Sequence, residues 1–331
     1  MKILIIQTGF LGDIILSTPV IKGVKTLYPE SEIYFLTTPL GRLLIENDPL
    51  IKKVLVYDKR GKEKGLSGVF KIVKKINNLN FDRVYCLHKS YRTSFMLFLT
   101  KIPHKTGFKK AKLSFIYDVS EPRNIKDHDA IRNLSILSSE TDITHLKQDL
   151  RLFSPIETEI NPELKTLKDS KYILLSPGSA WKTKIWHSKG YNETAKHFEN
   201  KGYKIVVTGA EAEKKICEKV CENTKALNFC GKLNLLELKF VVSNAKLVIC
   251  NDSMALHMAS ALKTPCVSIF CSTIPEFGYG PWKNKSIVVE KKLNCRPCGR
   301  HGHNKCPLNT EECMKIDSSE VITASEKLLG I

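Results

Sequence analysis

The sequence predicts an α/β fold made of two similar halves, and three observations support this. Apolar runs of four to six residues alternate with longer amphipathic segments, which is typical of strand–helix–strand units around a parallel sheet. A polar stretch at residues 142–171, containing Pro155 and Pro162, interrupts the alternation and indicates a linker. A length of 331 residues also suits two domains better than one core. We therefore expect two Rossmann-like domains, 1–150 and 151–331, facing each other across a cleft.

Each predicted element follows from local spacing. In the first half the strand-type runs are 3–6, 33–36, 54–57 and 84–87. Helical spacing there predicts helices at 14–27, 43–47, 69–79, 90–100 and about 127–138. In the second half the strand-type runs are 172–175, 205–208, 226–229, 247–250 and 266–270. Its predicted helices are 191–200, 211–221, 235–242 and 254–261.

Composition excludes several classes of protein. No apolar run reaches the roughly 18 residues that cross a bilayer. The opening run, Lys2-Ile-Leu-Ile-Ile6, is too short for the apolar core of a signal peptide and is interpreted as the first strand. The odd count of eleven scattered cysteines argues against a secreted disulfide framework. We expect a cytoplasmic protein.

The formal net charge is +18, and residues 83–117 contain no acidic residue. Such a field attracts polyanions, namely nucleic acid, an anionic membrane or a phosphorylated acceptor. A solvated, lysine-rich surface is the alternative interpretation. Nucleic acid is disfavoured because the stretch lacks the regular aromatic residues of a stacking platform. The basic residues of the stretch are Arg83, Lys89, Arg92, Lys101, Lys105, Lys109, Lys110 and Lys112.

Two loops predict a phosphate site. Ser176-Pro-Gly-Ser-Ala-Trp-Lys-Thr-Lys-Ile-Trp186 and Asn251-Asp-Ser-Met-Ala-Leu-His257 each follow a strand-type run and precede helical spacing. Glycine and small hydroxyl residues at a strand-to-helix turn expose backbone N–H groups where the helix is partly positive. With two lysines in the first loop, the predicted ligand is a nucleotide sugar. The loop after the first strand, Gln7-Thr-Gly-Phe-Leu-Gly-Asp13, lacks GxGxxG, which disfavours a dehydrogenase.

At this point the chain resembles a known family. Ile6-Gln-Thr-Gly-Phe-Leu-Gly-Asp-Ile-Ile-Leu-Ser-Thr-Pro19 is similar to the start of the bacterial lipopolysaccharide heptosyltransferases of glycosyltransferase family 9. The loop ending at Trp186 is similar to theirs, and the segment from Asn251 to Ala261 resembles their donor-phosphate motif, usually Asp-Ser/Thr-Gly-x-x-His. The motifs keep the family's order over nearly the whole chain and are most similar to the heptosyltransferase II branch. Met254 departs from the usual glycine, so the backbone is expected to approach the diphosphate less closely.

The resemblance implies a GT-B fold, an ADP-heptose donor and a lipid-anchored inner-core oligosaccharide acceptor. It also implies inversion at the anomeric carbon, with no essential metal and no cofactor. The first domain would bind the acceptor and the second the ADP-sugar donor. Such an enzyme would be cytoplasmic and would associate peripherally with the anionic cytoplasmic face of the inner membrane, without a nucleic-acid partner.

Asp13 is the predicted catalytic base. An inverting transferase needs a group that takes a proton from the attacking hydroxyl, and a carboxylate can do this. A helix cap is the alternative role. The position leaves the direction of the pKa shift open, because a helix N-terminus lowers it and burial raises it.

Lys184 is the predicted cation for the departing diphosphate, whose negative charge grows as ADP leaves. The family's alignment at Lys-Ile-Trp186 favours it over Lys182, which we also assign to donor binding. Two solvated lysines are the alternative interpretation. Ser179 is expected to hydrogen-bond to the donor, and Trp186 to pack the loop.

The second loop supplies the other predicted donor contacts. Asp252 would accept from sugar hydroxyls, while Ser253 and the N–H groups of Met254 and Ala255 would hold the diphosphate; a capping box is the alternative. His257 has the spacing of the family's histidine, and an interior histidine is the alternative. After another strand-type run, Glu213 is preferred to Glu211 as the ribose-binding carboxylate.

Four cysteines near the end of the chain resemble a zinc ribbon, with His301 and His303 between them. The first pair has zinc-knuckle spacing and the second is too wide for an ordinary one, so a reduced or redox-labile loop is the alternative. In neither case do we expect a role in catalysis, and no metal ligand is assigned. The cysteines are Cys295, Cys298, Cys306 and Cys313.

Two other functions are compatible with these residues. A GT-B enzyme acting on another nucleotide sugar, as a transferase in cell-surface glycan synthesis or as an epimerase, would keep the same loops. A non-catalytic polyanion-binding protein would account for the charge but would leave the phosphate loops unexplained.

Overall fold

Parallel strands form the centre of each half of the chain. The computed structural model describes residues 1–155 and 160–331, which divide into two units, Met1–Phe153 and Ser154–Ile331. Residues 156–159, part of the predicted linker, lie outside the described residues.

The described residues form two six-stranded parallel sheets. The first unit contains the strands β1 Lys2–Ile6, β2 Glu32–Thr37, β3 Ile51–Val56, β4 Arg83–Cys86, β5 His104–Phe108 and β6 Val119–Glu121. The second contains β7 Tyr172–Ser176, β8 Lys204–Val207, β9 Leu227–Asn228, β10 Leu247–Asn251, β11 Cys266–Phe270 and β12 Ser286–Glu290. Their orders are β3-β2-β1-β4-β5-β6 and β12-β11-β10-β7-β8-β9, so both sheets have the Rossmann order.

Helices connect these strands. In the first unit they are α1 Leu11–Ser17, α2 Pro19–Leu27, α3 Pro39–Ile45, α4 Gly65–Asn77, α5 Tyr91–Phe98 and α6 Asp129–Leu134. In the second they are α7 Pro162–Lys165, α8 Ser188–Asn200, α9 Lys214–Cys221, α10 Leu235–Asn244, α11 Met254–Leu262 and α12 Ser318–Leu329. The predicted α/β class and its two Rossmann-like sheets are confirmed.

The central strands are apolar because both of their faces are covered. Residues Ile3 to Ile6 of β1 are fully buried, as are all five residues of β10 and of β11. Such strands lack polar alternation, which is why their positions could be predicted from uninterrupted apolar runs.

The structure differs from the prediction at several elements. The helix predicted at 14–27 is two helices, because Pro19 lacks an N–H and begins α2. The helix predicted at 127–138 ends at Leu134 and continues as a 3₁₀ turn, Ser135–Leu137. Strands β5, β6 and β12 and helices α7 and α12 were not predicted. Strand β5 has the sequence His-Lys-Thr-Gly-Phe and β6 is three residues long, so neither carries an apolar run.

Candidate functional site

The predicted phosphate loops of the second unit begin side by side. Strands β7 and β10 are neighbours, with Ser176 of β7 opposite Cys250 of β10. They lie where the strand order reverses, and ligands of open parallel sheets bind beyond the carboxyl ends of strands at that point. The loop at Pro177–Lys184 leaves β7 there, and Asp252 and Ser253 leave β10.

Lys184 is fixed by an ion pair. Its Nζ lies 2.6 Å from Oδ2 of Asp252, and the two side chains are 12% and 6% exposed. The Thr273 hydroxyl donates to the same Oδ2 at 2.7 Å. The Ser179 hydroxyl donates to the backbone carbonyl of Asp252 at 3.2 Å. Asp252 therefore ties the two loops together and holds the Lys184 ammonium in place.

Lys182 differs from its neighbour. It begins the same 3₁₀ turn, Lys182–Lys184, but its side chain is exposed and forms no ion pair with a described residue. Trp186 is fully buried; its Nε1 donates to the carbonyl of Ile316 at 2.9 Å, and its ring lies 4.8 Å from that of Tyr191. The predicted packing role of Trp186 is confirmed.

The N-terminus of α11 has no side-chain cap. Ser253 is its N-cap residue, but its hydroxyl makes no capping bond and has no hydrogen-bond partner among the described residues, although Oγ is buried. The alternative of a capping box is therefore wrong here. Met254 and Ala255 begin the helix, and His257 one turn later is buried. The free N–H groups of an uncapped helix start, together with a buried hydroxyl, are suited to donate hydrogen bonds to phosphate oxygens.

Glu213 lies against the first loop, whereas Glu211 does not. A Cβ at Gly178 would lie 2.0 Å from the Glu213 carboxyl group, so only glycine leaves room for it there. Glu213 Oε2 also accepts from the N–H of Ala210 at 2.7 Å. The Glu211 carboxylate instead lies against Gly231, beyond the next strand. Glu213 therefore lies at the first loop, and Glu211 lies away from it.

Asn251, the last residue of β10, was missed as a site residue. It is fully buried; its Oδ1 accepts from the N–H of Trp186 at 3.0 Å and its Nδ2 donates to the carbonyl of Pro177 at 2.7 Å. It thereby fixes both ends of the first loop. Asn251 could have been found from the sequence, because it is a polar residue that directly follows the apolar run 247–250.

The cysteine-rich segment belongs to this site structurally, which the sequence did not predict. The Thr183 N–H donates to the His303 carbonyl at 3.0 Å, and the His303 N–H donates to Thr183 Oγ1 at 2.8 Å. The hydroxyls of Thr183 and Ser272 lie 2.9 Å apart, and the N–H of Cys298 donates to the Ser272 carbonyl at 3.0 Å. Gly302 lies directly on the Lys184 stem, since a Cβ there would be 3.2 Å from Cγ of Lys184.

His301 faces the same cation. Burial lowers the pKa of His301, and the positive charges of Lys184 and Arg300 lower it further. The eleven cysteines are free thiols, and the described residues contain no group of three or more His, Cys, Asp or Glu side chains that could hold a metal. The segment lies against the Lys184 turn through the Thr183 and Ser272 hydrogen bonds.

In the first unit, Asp13 lies beside the carboxyl end of β1. Its Oδ2 accepts from the N–H of Phe10 at 3.2 Å, so it completes the first turn of α1 as the third helical residue and not as the cap itself. Burial raises the pKa of Asp13, and the nearby Asp129 carboxylate raises it further. The Phe10 N–H and the Arg123 guanidinium act in the opposite direction but are outweighed. A carboxylate with a raised pKa is a stronger base, which suits proton transfer.

Asp129 is held by two arginines. Arg123 donates to its Oδ1 and Oδ2 at 2.9 and 3.0 Å, and NH1 of Arg132 lies 3.4 Å from Oδ1. Arg123 also donates to Asn133 Oδ1 at 3.0 Å. The side chains of Arg123, Asp129 and Arg132 are each at most 15% exposed. The charges of this buried network act on the pKa of Asp13. No local sequence motif predicts the network.

A cationic cluster completes the same end of the first sheet. Nζ of Lys59 donates to Thr8 Oγ1 at 3.3 Å, and Nδ1 of His88 lies 3.1 Å from that hydroxyl. An Arg92 NH1 donates to the Lys59 carbonyl at 2.8 Å, and the Arg60 guanidinium lies 5.8 Å from the Phe10 ring centre. Burial lowers the pKa of Lys59, and the positive charges of Arg60 and Arg92 lower it further, to about 8. Burial lowers the pKa of His88 to about 4, so it is neutral at pH 7.

A family model and a sequence relative indicate one family, and two solved structures indicate one fold. The model of glycosyltransferase family 9 (heptosyltransferase) matches residues 69–308. Lipooligosaccharide heptosyltransferase 2 of Campylobacter jejuni is 24% identical, over 99% of this chain and 98% of its own. The glycosyl transferase family 9 structure from Veillonella parvula has a TM-score of 0.87 at 24% identity, covering 99% of this chain and 97% of its own. The Escherichia coli ADP-heptose lps heptosyltransferase II structure has a TM-score of 0.80 at 19% identity, covering 99% and 98%.

These structural likenesses confirm the predicted GT-B fold. Every helix in the described part of the chain is too short or too polar to traverse a lipid bilayer.

Proposed function

Since the chain belongs to glycosyltransferase family 9 (heptosyltransferase), we propose that it transfers heptose from ADP-L-glycero-D-manno-heptose to the inner core of lipopolysaccharide, with inversion and without a metal. The observation that carries this proposal is the Lys184–Asp252 pair beside the uncapped start of α11. The matched Escherichia coli protein is named as an ADP-heptose lps heptosyltransferase, and the Campylobacter jejuni relative as a lipooligosaccharide heptosyltransferase.

The second unit is the proposed donor domain. The diphosphate oxygens would accept hydrogen bonds from the N–H groups of Met254 and Ala255 and from the Ser253 hydroxyl, which has no partner among the described residues. Ser179 and His257 would lie beside the diphosphate. The Lys184 ammonium would meet the charge that grows on the leaving phosphate. Lys182, which is exposed, would contribute to donor attraction rather than to a fixed contact. Glu213 would accept from the ribose hydroxyls, because it is the carboxylate that lies against the first loop.

The first unit is the proposed acceptor domain. An inner-core saccharide carries carboxylates and phosphates, and the cluster of Lys59, Arg60 and Arg92 has the opposite charge. Asp13 is the proposed base, and its raised pKa suits it to remove a proton from a sugar hydroxyl.

The proposed reaction is a single displacement. The acceptor hydroxyl oxygen forms a bond to the anomeric carbon of the heptose while the bond from that carbon to the phosphate oxygen breaks. The hydroxyl proton passes to Asp13, and ADP departs with both electrons of the broken bond. Attack opposite the departing ADP inverts the anomeric carbon.

We also propose that the enzyme acts in the cytoplasm as a peripheral protein of the anionic inner-membrane surface. Support comes from the net charge of +18 and the exposed Lys109 and Lys110. A lipid-anchored acceptor requires that the enzyme reach a membrane, and basic residues concentrate it there.

The decisive experiment combines purified protein with one of several nucleotide sugars and with deacylated inner-core acceptors, one without heptose and one that already carries a heptose. We expect ADP release and a product heavier by one heptose only with ADP-heptose. Equal turnover with another nucleotide sugar would overturn the assignment. So would the absence of product with every nucleotide sugar tested. Initial rates in EDTA should match those without it; immediate loss that Mg²⁺ restores would contradict a metal-free reaction.

A further inference from the structure

The first unit exposes large apolar side chains on two adjacent helices and the turn beside them. Leu66 and Phe70 lie on α4, Tyr91 and Phe98 on α5, and Phe115 in the 3₁₀ turn Ser114–Ile116; they are 56–78% exposed. We call these five residues the α4–α5 surface. Residues four or seven apart share one face of a helix, so each helix presents its pair on one side.

A groove lies between the two helices, and Leu66 and Tyr91 of the α4–α5 surface line it. Its volume is about 450 Å³, and its apolar lining comes from Leu66 and Val69 of α4, Tyr91 and Phe95 of α5, and Leu113. Leu113 has a φ of 54° and directly precedes the turn that exposes Phe115. Left-handed backbone is costly for leucine, so the surrounding structure has to hold this conformation.

Most of the charges around the surface are positive, although Glu63 pairs with Lys71 of α4 at 3.8 Å. Residues 64–117 contain one acidic residue, Asp82, whose Oδ2 is bound to the N–H of Lys2 at 2.7 Å. Nζ of Lys112 lies 5.3 Å from the Tyr91 ring centre, which puts a cation at the edge of the apolar residues. The twelve basic residues of this range are Lys64, Lys71, Lys74, Lys75, Arg83, Lys89, Arg92, Lys101, Lys105, Lys109, Lys110 and Lys112.

We infer that the α4–α5 surface inserts its apolar side chains into an anionic lipid leaflet, which rests on the proposed function because that function requires access to a lipid-anchored acceptor. Aromatic and leucine side chains surrounded by lysines are the combination that binds at a lipid interface. Lysine stems lie along apolar surface while their ammonium groups reach the headgroups. A second copy of the chain is a poor occupant, since it would bring two strongly positive surfaces together. The inference adds hydrophobic insertion to the electrostatic attraction proposed above.

The test measures vesicle binding without any substrate. A triple variant, Phe70→Ser/Phe98→Ser/Phe115→Ser, removes insertion but keeps every charge. Its control is Leu227→Ser/Leu308→Ser, which removes two exposed apolar side chains of the second unit. On vesicles of phosphatidylglycerol and phosphatidylcholine, the triple variant should bind about tenfold or more weakly than wild type, and the control unchanged.

A second measurement reports depth directly. Phe115→Trp should be quenched by lipids brominated on their acyl chains beyond the quenching of the wild-type tryptophans, and Leu308→Trp should not. This arm decides the question even if the triple variant fails to fold. Wild-type binding by the folded triple variant, or no added quenching of Phe115→Trp, would overturn the inference. So would a wild-type dimer that the triple variant abolishes while its vesicle binding persists.

Different results would contradict the proposed function and this inference. Transfer of heptose to a deacylated acceptor needs no vesicle, so it should survive in the folded triple variant. Vesicle insertion without any heptose transfer would remove the proposed function and leave the surface as described.

Discussion

Thr183 and His303 are joined by two hydrogen bonds in opposite directions, although 120 positions separate them in the chain. One bond is between backbone groups and the other uses the Thr183 hydroxyl, which also meets Ser272. The pair holds the cysteine-rich segment against the turn that carries Lys184. The position of Lys184 therefore depends on a loop more than a hundred residues away.

Gly302 tests that dependence. Its φ is +79°, and a Cβ would lie 3.2 Å from the Lys184 stem, so Gly302→Ala should displace the lysine, raise the donor KM and lower kcat. Gly202→Ala is the matched control, because Gly202 has a φ of +81° with nothing within 4 Å. Both changes should cost about 1 kcal/mol of unfolding free energy through the left-handed backbone. Equal kinetics of the two variants would mean that the segment does not position Lys184.

The two lysines of the 3₁₀ turn should behave differently. Lys184→Ala should weaken donor binding and reduce kcat by roughly 10²-fold, because a fixed cation is lost where phosphate charge develops. Lys182→Ala, at an exposed position in the same turn, should change kcat less than a few fold. Isothermal titration with ADP and steady-state kinetics measure both effects. Small and equal losses would show that neither lysine contacts the departing phosphate.

Asp13→Asn should reduce kcat by ~10²–10⁴-fold while ADP-heptose binding stays near normal, because the base acts on the acceptor. The amide keeps the shape and cannot take the proton. Donor titration alongside turnover separates the two. A folded Asp13→Asn protein with normal turnover would remove Asp13 from the mechanism.

The pH profile should follow the charges around Asp13. Activity needs the ionised carboxylate, so it falls as the pH drops through a pKa that burial and Asp129 have raised. Asp129→Asn removes a negative charge and leaves Arg123 and Arg132 unneutralised, so the acidic limb of kcat/KM should move to lower pH. Arg123→Gln removes a positive charge and should move that limb to higher pH. A uniform loss at every pH would indicate damage to the fold and no electrostatic coupling.

Acceptor affinity should weaken above pH 8. The pKa of Lys59 is lowered to about 8, so the free protein loses this charge as the pH rises through that value. A bound anion stabilises the ammonium and raises its pKa, so binding takes up protons and acceptor KM should climb above pH 8. Lys59→Arg, which stays charged, should flatten the climb without changing donor KM. An unaltered climb in Lys59→Arg would place its origin elsewhere.

Much of the architecture follows from the sequence alone. Uninterrupted apolar runs predicted the buried central strands, because a strand covered on both faces has no polar side. The same runs located the loops that hold Lys184, Asp252 and Asp13, since ligands bind where parallel strands end. Elements without such a run escaped prediction, as β5 shows with its buried Thr106 and Gly107.

The tertiary structure alone decided which side chains meet. The Lys184–Asp252 pair, the Thr183–His303 bonds and the α4–α5 surface join residues far apart in the chain, so no local pattern encodes them. The pKa of Asp13 could not be assigned from its position, because the helix start and burial act in opposite directions. Burial and the Asp129 carboxylate raise it, and both are created only when α1 packs against α6.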